Sequence, residues 1–359
     1  MTRPSSEERI GAFFDARGQH VTEHKYLRLD PDGPFTYIFS PQSSGISLLV
    51  DRLRGAGLKR RVATTAFRSG KLAPTGLRAL PGVSSTTVRT PRNNAFDLVI
   101  ASARQLTLLA PSDGIAATVG WPDDNRVAKE IDTRRKIPDN INVPRLVDTD
   151  DTFPYFVTEY IEGRTIQNPV EDWDHVLDAL VQLRKWYESA AVTWIDTEKA
   201  IEELHAGLAG LEDDPTIDAA FQRLRELPLP ERFARGRTHG DLHGENLRID
   251  GGRVYILDWE SAECSFLFRD FVLPFLQWTR YGGNPAVFDD LLEVEAAANG
   301  IGSQYAEWMG SVAWNSTEWY PGIVLFGLLR ELVIRSRSGE NWKRTYDTLD
   351  ALETLRKGE

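Results

Sequence analysis

HGDLHGENLRIDGGRVYILDWE, residues 239–260, places three oxygen-bearing side chains at fixed offsets: Asp241, Asn246 and Asp258. A loop carboxylate is followed five residues later by an amide, then by a short hairpin whose second strand ends in another carboxylate. The hairpin is legible by itself. Asp250-Gly251-Gly252 is a turn signal, and Arg253 to Leu257 alternates as a strand does. A polar loop joined to a hairpin explains the turn. It does not explain acids and an amide set on either side of it.

In-line phosphoryl transfer does explain them. That reaction leaves little covalent work to the protein, which orients the acceptor hydroxyl and neutralises phosphate charge, largely through Mg2+. Asp241 is the candidate base, because a loop carboxylate can come within hydrogen-bonding range of an acceptor hydroxyl. Asn246 and Asp258 are the candidate Mg2+ ligands, since this hard cation takes oxygen ligands and few protein contacts. Protein kinases carry His-Arg-Asp-x-x-x-x-Asn and then Asp-Phe-Gly in these roles. Here the same offsets hold His239-Gly240-Asp241, Asn246 and Asp258-Trp259-Glu260.

The pattern HGDLHxxN, a hydrophobic strand and DWE resembles the aminoglycoside phosphotransferase and choline kinase group, small-molecule relatives of the protein kinases. The resemblance implies that Asp241 is the catalytic base and that Asn246 and Asp258 are the metal ligands. It implies bracing roles for His239 and His243, and a supporting one for Glu260. It further implies an α+β, bilobal protein kinase-like fold, with a small mixed lobe, a mainly helical large lobe, ATP and Mg2+ as cofactors, and a small-molecule hydroxyl acceptor. The stretch Tyr155 to Ile161 ahead of Gly163 resembles the strand leading to an adenine-binding hinge, so Glu159, Tyr160 and Ile161 are expected to face the adenine. A plain core strand accounts for the same pattern.

The expected order is an N-terminal extension or added subdomain over 1–90, a small lobe over 91–163 and a helical large lobe over 164–359. Residues 1–90 are expected to open with a helix, followed by a strand near Phe35 to Phe39 and a helix from Ile46 to Leu58. Strands are expected at Gln105–Ala110 and Ile115–Val119 around the Pro111-Ser112-Asp113-Gly114 turn, and a helix from Val127 towards Ile137. Further helical spacing covers 176–187, 199–211, 288–298, 322–336 and 342–355.

The small lobe departs from the kinase pattern in two places. A strand lysine paired with a helix glutamate is expected there. Glu130 is the candidate glutamate, yet the segment Ile115 to Gly120, where the lysine belongs, reads Ile-Ala-Ala-Thr-Val-Gly. Arg104, Arg126 and Lys129 are the cations left nearby. No Gly-x-Gly-x-x-Gly precedes the strands, and Arg92-Asn93-Asn94-Ala95 is the candidate phosphate loop beside the simpler reading of a surface turn.

Composition narrows the rest. A formal charge of -11 over 359 residues argues against general nucleic-acid affinity, which needs a basic surface. Arg52, Arg54, Lys59, Arg60, Arg61, Arg68 and Lys71 form a local basic cluster, suited to an anionic ligand or membrane headgroup, or to a solvated face. The single cysteine, Cys264, has no internal partner, and the start MTRPSSEERIGAFF lacks the apolar run of a signal peptide, so a cytoplasmic location is the default expectation. No apolar run reaches the length of a transmembrane helix. Oligomeric state is left open.

Two alternatives accompany small-molecule phosphotransfer. One is a kinase-like nucleotide-binding or regulatory module with weak or no turnover, motivated by the missing lysine. The other keeps the chemistry and takes a glycan, lipid or protein acceptor. Glu263, Asp270 and Glu318 are acids available to a cationic substrate, and none is singled out as a contact.

Overall fold

The computed structural model describes residues 4–30, 35–41, 45–49, 83–92, 95–150, 152–209, 211, 214–280, 283–284, 286–288, 317–337 and 345–350. The basic cluster between 52 and 71 and Asn93-Asn94 lie outside these residues, as do nearly all of the helices expected over 46–58 and 288–298. The chain forms two compact units, one of residues 1–136 and 144–162, the other of 137–143 and 163–359.

The first unit is built on an eight-stranded sheet. In chain order its elements are α1 (Ser6–Ala16), β1 (Thr22–Leu29), β2 (Thr36–Phe39), β3 (Val83–Thr90), β4 (Leu98–Ala101), β5 (Gln105–Ala110), β6 (Ile115–Gly120), α2 (Arg126–Arg134), β7 (Leu146–Asp150) and β8 (Tyr155–Glu159). The strand order is β3-β1-β2-β4-β5-β6-β8-β7, and every neighbouring pair is antiparallel. Both faces are covered, which is why the central strands read as apolar runs such as LVIA and QLTLLA. On one face Val99, Leu106, Leu108, Ala117, Val119 and Val157 pack with Ile10 and Phe13 of α1. On the other, Leu27, Phe39, Leu98 and Leu109 form a second cluster, and Phe156 packs with Val127 and Ile131 of α2.

Local sequence sets these elements. Ser5 and Glu8 form a capping box that starts α1. Gly114, at φ 68, closes the turn between β5 and β6, a conformation that glycine adopts without the Cβ penalty. Arg9 of α1 donates to the Gly120 carbonyl at 2.8 Å and stacks 3.7 Å from the Phe153 ring, so α1 is tied to the end of β6.

The second unit is mainly helical, as expected for an α+β chain of this pattern. It contains β9 (Arg164–Thr165), α3 (Trp173–Glu188), β10 (Thr193–Asp196), α4 (Thr197–Leu208), α5 (Pro215–Glu226), β11 (Arg232–Thr238), β12 (Leu247–Asp250), β13 (Arg253–Ile256), β14 (Glu263–Phe266), α6 (Arg269–Arg280) and α7 (Tyr320–Arg337). Two three-stranded sheets, β10-β11-β14 and β13-β12-β9, hold the loops between them. A core of Leu180, Leu183, Phe233, Leu247, Trp259, Phe271 and Leu329, with their neighbours, runs beneath both. Helix α7 is buried continuously from Tyr320 to Leu329, which accounts for its long apolar run. Among the described residues no helix is long and apolar enough to cross one.

Candidate active site

The loop carrying Asp241 leaves β11 and enters β12, and its backbone is held from below by one side chain. Asp270 on α6, 0% exposed, accepts from the His239 amide at 2.7 Å, the Gly240 amide at 2.8 Å and the Tyr187 hydroxyl at 3.0 Å. Three donors on one buried carboxylate fix the loop's path. Gly240 turns it, with φ 82, and a Cβ there would collide with the Ser261 carbonyl oxygen. A Cβ at Gly244 would likewise run into the Ile166 carbonyl oxygen, where the Ile166 amide donates to the Gly244 oxygen at 3.0 Å. The motif glycines are therefore answers to close backbone approach.

His239 is fully buried against Trp259, ring centroids 4.8 Å apart. Its Nε2 donates to the Leu257 carbonyl at 2.8 Å, so Nδ1 is left to accept from the Asp241 amide at 3.4 Å. Burial pushes its pKa below the ordinary 6.5, more than the nearby Asp270 and the Leu257 carbonyl raise it. His239 is thus a neutral brace between the loop and the strand leading to Asp258.

Asp241 is partly open, its side chain 36% exposed. His243 Nδ1 accepts from the Glu245 amide, which leaves the ring proton on Nε2, 3.5 Å from Asp241 Oδ2. Burial by itself raises the Asp241 pKa, but the hydrogen bond from His243, with the Arg335 charge adding, holds it well below the ordinary 3.8. The carboxylate is ionised and open on one side.

Asn246 and Asp258 are brought together by the hairpin between them. The register pairs Leu247 with Ile256 and Asp250 with Arg253, so Asn246 stands across from Leu257 at the open end. The Leu257 amide donates to the Asn246 carbonyl at 2.8 Å, which closes that end. Gly251 and Gly252, at φ 55 and 78, make the tight turn that the Asp-Gly-Gly signal predicts. The Asn246 side-chain nitrogen donates to the Asp241 carbonyl at 2.9 Å, so its Oδ1 is the atom offered to a cation. Asp258 is the one non-glycine residue with positive φ, 57, among the described residues. Such a conformation persists where the surroundings impose it, and it concentrates at functional positions.

The donor set is oxygen only, an amide and a carboxylate, which suits Mg2+ completing its shell with phosphates and water. No cluster of three or more His, Cys, Asp or Glu suited to a metal occurs among the described residues. A dedicated all-protein cage of that kind is not what Mg2+ with phosphates requires.

The remaining expected site residues lie in the sheet unit. The Glu159 amide donates to the Arg145 carbonyl at 3.0 Å, while its carboxylate accepts from the Arg145 amide at 3.0 Å. The Tyr160 amide donates to the Gly114 carbonyl at 2.8 Å. Ile161 lies beyond β8 and forms no backbone hydrogen bond among the described residues. Glu130 is buried on α2 and bonds Arg134 of the same helix, with Nη2 at 2.7 Å and Nε at 2.8 Å. Of the substitute cations, Arg104 and Lys129 are exposed, and Arg126 sits at the start of α2, its amide bonded to Asp124. Arg92 is ion-paired with Asp113.

Two features escaped sequence reasoning. Asp270 stands as one of several spare acids in the sequence, and in the fold its two oxygens grip the loop that carries Asp241. Glu263 is taken up by Arg269 at 2.7 Å, and Arg269 also pairs with buried Glu331. The signal for Arg134 was present, since Glu130 and Arg134 have the i, i+4 spacing of a helical ion pair.

No curated protein matches the chain. Among solved structures it is similar to the GDP complex of wild-type aminoglycoside 2'-phosphotransferase-IIIa, at 16% identity and TM-score 0.42 over 71% of this chain and 89% of that one. A choline/ethanolamine kinase family protein from Mesorhizobium loti is similar at 16% identity and TM-score 0.35, over 69% and 90%. Amicoumacin kinase in complex with AMP-PNP and Ca2+ is similar at 15% identity and TM-score 0.43, over 70% and 87%. At these values the likenesses carry no argument about the site. Residues 118–303, more than half of the chain and spanning Asp241 to Asp258, match the family profile, and the chain belongs to the phosphotransferase enzyme family.

Proposed function

We propose that this phosphotransferase moves the γ-phosphate of ATP to a hydroxyl of a small molecule such as a sugar, an amino sugar or an amino alcohol. The observation that carries this reading is the convergence of an ionised, partly open Asp241 with Asn246 and Asp258 at the open end of one hairpin. Asp241 orients the acceptor hydroxyl and takes its proton. The hydroxyl oxygen bonds to the γ-phosphorus as the bond to the bridging oxygen of ADP breaks. Asn246 and Asp258 hold Mg2+, which when bound draws negative charge off the phosphates. Asn246 also ties its amide to the Asp241 carbonyl, so metal ligand and base move as one piece. Ile161 meets the adenine through its backbone, and Glu159 and Tyr160 keep that segment in place.

The experiment is ATP turnover by the purified protein with Mg2+ and a panel of hydroxyl compounds. Asp241→Asn is expected to lower turnover by about 10²–10⁴-fold, the usual contribution of a positioned base. Absence of turnover with every acceptor, together with an unaltered Asp241→Asn phenotype in cells, ends the reading. A second reading, a nucleotide-binding module without transfer, is favoured by the lysine-free strand β6. Calorimetry separates the two, since Mg-ATP binding without product supports the second and product formation removes it.

A further inference from the structure

The ion pair on α2 changes what the missing lysine means. In kinases the strand lysine neutralises the helix glutamate as well as gripping phosphate. A carboxylate 2% exposed, as Glu130 is, needs a cation in any case. Here two donors of Arg134, whose side chain is 7% exposed, converge on Glu130 Oε1.

The strand positions that face α2 follow from the register. Thr118 pairs directly with Phe156, and opposed residues of an antiparallel pair share a face. The Arg134 guanidinium carbon lies 4.9 Å over the Phe156 ring, so Thr118 is on the side against which α2 packs. Two residues on, a Cβ at Gly120 would meet Val127 of α2 at 3.1 Å. Positions 116, 118 and 120 therefore line this face as Ala, Thr and Gly, and none of them can carry charge. Thr118 is 9% exposed. Of the three, position 118 stands opposite Phe156, over whose ring Arg134 lies.

We propose that Arg134 is the positioning counter-ion of Glu130, supplying from within α2 the charge that a strand lysine supplies in other kinases, with position 118 as the seat left without its lysine. This rests on the phosphotransfer reading for its role in nucleotide binding, and on geometry alone for the pairing. The guanidinium is clamped between Glu130 and Phe156 of β8, so the pair draws no charge from β6. Arg134 does not act on substrate. It acts through Glu130 and the packing of α2.

The test is a charge-swap cycle on the full chain: Arg134→Gln, Thr118→Lys, and both together, with Arg134→Lys as the conservative variant. Arg134→Gln removes the guanidinium from buried Glu130 and is expected to lower the unfolding temperature by about 6–12 °C. Thr118→Lys puts a second cation beside the first and is expected to lower it too. The double variant restores one cation to one carboxylate and melts above both singles. Mg-ATP affinity, read by calorimetry, is expected to weaken by about tenfold in Arg134→Gln and to recover in the double variant and in Arg134→Lys. A double variant no better than Arg134→Gln in unfolding temperature overturns the proposal, as does recovery of stability without recovery of Mg-ATP affinity. The unfolding arm needs no nucleotide. A wild-type protein that binds no Mg-ATP therefore ends the phosphotransfer reading, while the thermal cycle still decides whether Arg134 pairs Glu130 in place of a lysine at 118.

Discussion

Asp270→Asn isolates the foundation of the catalytic loop. The native carboxylate receives the amides of His239 and Gly240 on different oxygens, at 2.7 and 2.8 Å, and the Tyr187 hydroxyl at 3.0 Å. Asparagine has the same shape but only one acceptor oxygen. One backbone amide keeps a neutral bond, and the other faces an NH2 group deep in the unit. Losing one charge-assisted bond costs about 1.5–3 kcal/mol, and a buried unsatisfied donor about 1–3 more, so about 4 kcal/mol in all is expected. For a unit of this size that corresponds to a fall of about 8–16 °C in unfolding temperature. Tyr187→Phe removes only the hydroxyl bond and is expected to cost about 1 kcal/mol, or about 2–4 °C. Thermal unfolding followed by circular dichroism measures both. Amide hydrogen exchange adds a local reading, because the His239 and Gly240 amides should exchange only through global opening in the wild type and much faster in Asp270→Asn. An Asp270→Asn protein that melts with the wild type, or a Tyr187→Phe protein that melts below the Asp270→Asn protein, refutes the claim that this carboxylate holds the loop.

Gly244→Ala drives a Cβ into the Ile166 carbonyl oxygen, so it is expected to break the Ile166–Gly244 bond and lower stability by about 2 kcal/mol or more, with turnover falling alongside; a chemically denatured titration equal to wild type would contradict it. The pH dependence of stability has two separate windows. His239 has a lowered pKa, so the unfolded chain binds its proton first and stability declines as pH falls below about 6.5. Asp241 is also lowered, so its stabilising contribution is complete above its ordinary 3.8 and is lost only as pH falls further. His243→Gln is expected to raise the Asp241 pKa and move the acid limb of turnover to higher pH, whereas an unmoved limb would show that His243 does not sustain the carboxylate.

What the sequence disclosed divides along range of contact. The hairpin 247–256, the turn at 111–114 and helix α2 rest on neighbours a few residues apart, and period and turn chemistry expose such contacts directly. The grouping of Asp241, Asn246 and Asp258 was legible for the same reason, since one hairpin accounts for it. Asp270 was not, because its bonds to the loop span 30 and 31 residues and any acid in the region satisfies the local pattern equally well. Strand β11 was hidden by arginines at 232, 235 and 237, whose ion pairs and ring contacts replace the apolar alternation a strand normally shows. Glu130 lies on its expected helix, and its pairing with Arg134 is one of several i, i+3 and i, i+4 charge combinations that helical spacing permits there.

The eight-stranded sheet makes residues 1–90 more than a prefix. Strand β3, its outer member, reads Val-Ser-Ser-Thr-Thr-Val-Arg-Thr and presents hydroxyls and an arginine at the rim. Strand β4, reached only after β3, β1 and β2, reads Leu-Val-Ile-Ala and has three of its four side chains buried. A chain trimmed at residue 90 would turn β4 into the rim and strip α1 from the face it covers, leaving unpaired amides beside a greasy strand. Such edges recruit other edges. A shortened protein would accordingly be lost to self-association, and its inactivity would report on colloidal behaviour and reveal nothing of what the N-terminal segment recognises.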